Sequence, residues 1–192
     1  MPPYIGRRTV PTEPTVTAVP ITPDDKDWTW VLAQPCADCG FDASGCAEGD
    51  VAELVRDNAR AWRAVLAGAE LTRRPDDATW SPLEYACHVR DVYRLYDWRI
   101  EKMLTDDDPL YPNWDQDVTA VDDRYNEQDP ALVAADIEEA ADALATRLDS
   151  IAGEQWDRPG RRSDNKAFTI ATIARYMVHD PIHHLWDVNG AR

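Results

Sequence analysis

The chain has 192 residues and a formal net charge of −16, enough length for one domain with a proper core and too acidic for a phosphate-backbone partner, whose binding needs Lys and Arg to displace counterions. No apolar run approaches the ~20 residues of a membrane span, and Met1-Pro-Pro-Tyr-Ile-Gly-Arg-Arg8 lacks a secretory apolar stretch. Nucleic acid and membrane are therefore not expected as partners, and the expected location is the cytoplasm.

Residues 1–27 are rich in Pro and Thr, show no periodicity and read as an extended arm. Asp27 to Pro35 is short and apolar. Cys36-Ala-Asp-Cys-Gly-Phe-Asp-Ala-Ser-Gly-Cys46 reads as a tight loop, with two glycines available for positive φ. We take 1–48 as an irregular N-terminal arm and 49–192 as the helical body. A first helix is expected from Asp50 to Ala67, burying Val51, Leu54, Val55, Asn58, Trp62, Val65 and Leu66. Ser81-Pro-Leu-Glu84 forms a capping box and opens a second helix that continues to about Leu104 and carries His88. Thr105 to Asp129 is an acidic link without helical period, long enough to cross a bundle from end to end at ~3.3 Å per residue. Asp129-Pro130 starts a third helix ending near Gly153, and Phe168 to Asp187 forms a fourth, where Pro181 should introduce a kink. Four amphipathic helices and no convincing strand give an all-α four-helix bundle. Short links make the first and second, and the third and fourth, antiparallel; the long link makes the order up-down-down-up.

His179 and His183 are four apart, about 40° from each other around the helix, and can converge on one point; His184 is about 100° further round. Such a pair fits two core imidazoles as well as two metal ligands. His88 decides the matter. It lies ~10 Å from the start of the second helix and His183 ~8 Å from the end of the fourth, and up-down-down-up puts both ends on one side. His88, His179 and His183 are thus expected to meet. Three histidines leave open positions on a divalent ion, zinc first, with nickel or iron also accepted. Asp91 is either an outer acceptor fixing an imidazole tautomer or a surface carboxylate.

Cys36, Cys39 and Cys46 admit three readings: a second, structural metal, a redox pair, or loop residues. A zinc knot lacks a nearby fourth ligand unless Asp38, Asp42 or a residue from the body joins. Cys87 is about 100° from its neighbour His88 and reads as packing.

Trp80-Ser-Pro-Leu-Glu-Tyr-Ala-Cys-His88-Val-Arg-Asp91, followed much later by His179-x3-His183-His184, resembles the DinB/YfiT-like superfamily over residues 50 to 190. That group includes mycothiol-dependent maleylpyruvate isomerases and bacillithiol S-transferases. The resemblance implies a metal triad at His88, His179 and His183. It also implies an enzyme that activates a low-molecular-weight thiol for S-transfer to, or isomerisation of, a small electrophile. The alternative it leaves is a non-catalytic, stress-related bundle that binds metal or a small ligand. A small-molecule substrate and a homodimer are the expected partners. Pro181 and the cysteine loop depart from the family pattern.

Overall fold

Among the described residues of the computed structural model, five α-helices follow one another: α1 (Val51–Leu66), α2 (Pro82–Thr105), α3 (Gln116–Asp122), α4 (Pro130–Asp149) and α5 (Ile170–Asn189). The structure describes Ile21 and residues 26–190, so most of the arm expected over 1–27 lies outside the described residues. α2 starts where its capping box predicts. The Ser81 hydroxyl accepts from Glu84 N–H (3.3 Å), and the Glu84 carboxylate accepts from Ser81 N–H (2.9 Å). Arg74 then binds that buried carboxylate through Nε (2.8 Å). Asp129 caps α4 by accepting from Ala131 N–H, and Thr169 caps α5 from Thr172 N–H.

Cross-helix pairs set the directions. Arg56–Asp149 (2.7 Å) and Arg63–Glu138 (2.8 Å) run α1 against α4. Arg94–Asp136 (2.9 Å) and Arg147–Asp97 (2.5 Å) run α2 along α4. Arg175 to Glu48 in the turn just before α1 (3.5 Å) and Asn58 to the Pro181 carbonyl (2.9 Å) run α5 along α1. The four long helices are therefore up, down, down, up, with α4 and α5 each packed on both α1 and α2. Trp62, Leu83, Tyr93, Ile100, Ile137, Leu144 and Ile173 fill the space between them. Asn58, inside the apolar stripe of α1, is satisfied: it takes the Tyr93 hydroxyl (2.6 Å) and donates to Pro181. α5 runs unbroken through Pro181. None of the described helices is long and apolar enough to cross a membrane.

Two expectations need correction. The molecule is not strictly all-α, because β1 (Leu110–Tyr111), β2 (Pro159–Arg162) and β3 (Ala167–Thr169) form a small sheet in the order β1-β2-β3. β1 pairs parallel with β2 (Leu110 opposite Arg161), and β2 pairs antiparallel with β3. Strands of two to four residues are too short to show a period of two, and β1 finds its partner only through the tertiary fold. The crossover between α2 and α4 is also not featureless. It holds β1, the two-turn α3 capped by Asp115, and a 3-10 turn at Tyr125–Glu127. α3 is too short for its 3.6-residue period to stand out.

The chain before α1 lies on the body. Asp27 caps a 3-10 turn, Trp28–Leu32, and pairs with Lys166 of the β2–β3 turn (2.7 Å); the 3-10 turn packs against α5. Next comes the cysteine loop. Gly40 N–H donates to the Cys36 carbonyl and Cys36 N–H to the Phe41 carbonyl, both at 2.9 Å. Gly40, at φ +75°, allows the reversal that sets Cys36 and Cys39 side by side.

Candidate functional site

The second half of α5 carries two ligand sets, one residue out of step. His179 and His183 share one face, with ring centroids 5.2 Å apart. Cys36 and Cys39 meet them there. One donor atom from each of the four lies within 4.8 Å of the others, and the Cys36 thiol sulfur is 3.6 Å from His183 Nδ1. Cys36 and both histidines are buried. Trp28 covers the group, its ring centroid 5.7 Å from His179 and 5.1 Å from His183. Burial, then the neighbouring His183, push the His179 pKa down to about 4, so it stands as the neutral imidazole that ligates metals. Burial, with a contribution from the Cys36 thiol, pushes Cys39 up to about 11. A thiolate at Cys39 therefore calls for a cation beside it.

Asp180 and His184, each one residue further on, occupy the adjacent face of α5. They meet His88 of α2. His88 Nε2 is 3.2 Å and His184 Nε2 3.6 Å from Asp180 Oδ1, and the three donors again lie within 4.8 Å of one another. Asp187, a turn later, accepts from His184 Nδ1 (2.8 Å). Burial alone would raise the Asp180 carboxyl, but His184 and His88 outweigh it and hold it well below the usual carboxylate range. Trp114 stacks on the His88 ring (5.2 Å, 3°), Trp80 tilts against it (5.2 Å), and Tyr85 lies on His184 (4.7 Å). Asp180, His184 and Asp187, and with them His179 and His183 of the first set, line a cleft of about 880 Å³ whose walls include Trp28, Trp80, Tyr85 and Trp114, with the fully buried His88 behind them. Arg162 and Lys166 add positive charge to it, held by Asp164 and Asp27.

The structure thus sorts the expected residues differently from the sequence reading. His179 and His183 come together, but with Cys36 and Cys39. His88 joins Asp180 and His184 instead, because it faces the next strip of α5 round the axis. Asp91 accepts from Arg90 (2.8 Å) and the Tyr125 hydroxyl (2.5 Å); the carboxylates that face imidazoles are Asp180 and Asp187. Cys46 stands outside both groups, its thiol toward the Ala47 carbonyl. Cys87 is packed in the core against the Tyr125 carbonyl. Asp180 and His184 carry the same four-residue spacing as His179 and His183, and that spacing was the signal available for them. Nothing local could join Cys36 to His183, 147 positions away.

The chain matches the family model described as the DinB superfamily over residues 52–188. Among solved structures it is similar to YfiT from Bacillus subtilis, with a TM-score of 0.69 at 15% identity, covering 73% of this chain and 83% of that one. YfiT is described as a probable metal-dependent hydrolase with an unusual four-helix bundle topology. No curated protein matches the sequence.

Proposed function

The chain belongs to the DinB superfamily, and from that premise we propose that it is a metal-dependent enzyme whose divalent ion is held by His88, Asp180 and His184, and that it acts on a small electrophile with a low-molecular-weight thiol as cosubstrate. The observation that carries this reading is the convergence of two imidazoles and a carboxylate at the edge of an aromatic cleft. It moves the ligand set implied by the resemblance from His179 and His183 to Asp180 and His184.

The donor set fits a divalent ion. Three protein ligands leave coordination positions open for a small molecule, as in catalytic rather than structural sites, and imidazole with carboxylate suits iron, nickel or zinc. When bound, the ion supplies Lewis-acid activation, lowering the pKa of the thiol or water it holds. The chain's own residues prepare the rest. Asp187, by accepting from His184 Nδ1, fixes the tautomer that leaves Nε2 turned to Asp180. Trp114 and Trp80 clamp the His88 ring in place. Asp180 stays ionised and offers its charge without a proton to lose. The indole and phenol rings give the mixed, largely polar cleft apolar faces against which the carbon skeleton of a small electrophile can pack.

A hydrolytic reading, with water in place of the thiol, is favoured by the likeness to YfiT and uses the same three ligands. Elemental analysis of the wild-type chain and of the double variant His88→Ala/His184→Ala, with thiol consumption against a halogenated arene and hydrolysis of an activated ester, decides among these. Loss of one ion together with thiol-dependent turnover supports the proposal. Loss of one ion with ester hydrolysis alone selects the hydrolase. Full metal occupancy in the double variant would overturn the site, and a metal-loaded chain inert in both assays would leave a non-catalytic binding bundle.

A further inference from the structure

We propose that Cys36, Cys39, His179 and His183 form a second, closed metal site, a tetrahedral two-cysteine, two-histidine knot for zinc that fastens the segment before α1 onto α5. It shares no ligand with the open site and does not depend on what that site catalyses. The donor set and its spacing are those of structural zinc: Cys-x2-Cys on a tight turn and His-x3-His on a helix.

Three features point to a cation. With zinc–sulfur near 2.3 Å and zinc–nitrogen near 2.0–2.1 Å, a tetrahedron has sulfur-to-nitrogen edges of roughly 3.5 Å. The Cys36 sulfur is 3.6 Å from His183 Nδ1, and all four donors fit within 4.8 Å. His179, only 3% exposed, has its Nε2 buried with no hydrogen-bond partner among the described residues. An orphaned ring nitrogen at that depth is costly, and a shared ion satisfies it. Outside the group, the Asp187 carboxylate lies 3.7 Å from His183 Nε2, beyond hydrogen-bond reach but close enough for its charge to favour a ligating imidazole.

The chemistry argues against the rival reading. A Cys36–Cys39 disulfide would leave His179 Nε2 orphaned, and both cysteines are free thiols. His179 and His183 also line the cleft, but four protein ligands fill a tetrahedron and leave no coordination position for substrate, so the knot is structural. Binding converts two thiols to thiolates and releases their two protons to solvent. What it holds is the Trp28–Leu32 turn, and with it the Trp28 wall of the cleft.

Cobalt(II) is the probe, because thiolate ligation gives it a near-ultraviolet charge-transfer band and tetrahedral geometry gives strong visible bands. The full chain is stripped with a chelator under reducing conditions and titrated with cobalt. The expected result is both signals, displaced by zinc and retained in His88→Ala, with the thiolate charge-transfer band lost in Cys36→Ser/Cys39→Ser. Wild-type protein should also carry one zinc per chain more than that variant. Cobalt that binds the wild-type chain without the thiolate band would overturn the knot, and this arm needs no variant to fold. A band that survives Cys36→Ser/Cys39→Ser, or vanishes in Cys46→Ser, would overturn the assignment equally.

Discussion

Asp187 touches both ligand sets, at 2.8 Å from His184 Nδ1 and 3.7 Å from His183 Nε2. Such outer carboxylates typically contribute 10- to 100-fold in metal affinity. Asp187→Asn should therefore weaken the open-site ion by about that factor while the helix stays folded, as read by competition with a chromogenic chelator in the Cys36→Ser/Cys39→Ser background, where the open site is the one left. His184→Ala should remove that ion outright and leave the cobalt–thiolate band of the knot. A loss of the band instead would mean that the two sets are not separate. At this scale the sequence was half legible. The spacing of His179 and His183 predicts convergent rings, and they converge. It does not say which side of α5 His88 faces, because a helix-to-helix azimuth depends on packing that no local pattern records.

Among the elements, the start of α2 was the most legible, since a capping box writes its geometry into four residues. The Arg74 partner was not, because it comes from the loop before. Burial alone would raise the Glu84 carboxyl, but Arg74 and the Ser81 N–H outweigh it, so its folded pKa lies below the ordinary value. The stabilisation is thus complete above the unfolded pKa and is lost as pH falls through the lower folded value. Glu84→Gln should cost about 2 kcal/mol at pH 7, a charge-assisted pair being worth about 1.5–3. In acid the two proteins should converge, because the wild-type side chain is then neutral as well. Urea unfolding at pH 7 and at successive steps into acid measures it; a gap that does not narrow as the pH falls would contradict the pairing. The sheet was illegible for the opposite reason, as its strands are too short to carry a pattern and meet across the chain.

For the whole molecule, the bundle order was legible in the length of one link, and the ion pairs of α4 with α1 and α2, with the Asn58 to Pro181 hydrogen bond between α1 and α5, agree with it. The packed core does not include the metal-binding donors as its only cement, so chelation should lower the melting temperature and keep the helical far-UV signal. A chelated chain that lost its helix signal would show that metal, rather than apolar burial, holds the bundle together.

The offset between the two ligand sets on α5 has a consequence for how this helix can change. Successive residues are about 100° apart around the axis. One residue inserted early in α5, with the capped start at Thr169 held in place, would advance everything after it by that angle. His179 and His183 would then arrive where Asp180 and His184 now stand, facing His88. Val178 and Ile182 would inherit the places opposite Cys36 and Cys39. The chain therefore stores a three-histidine centre one residue out of phase, and the cysteine pair would be stranded by the same shift that completed it.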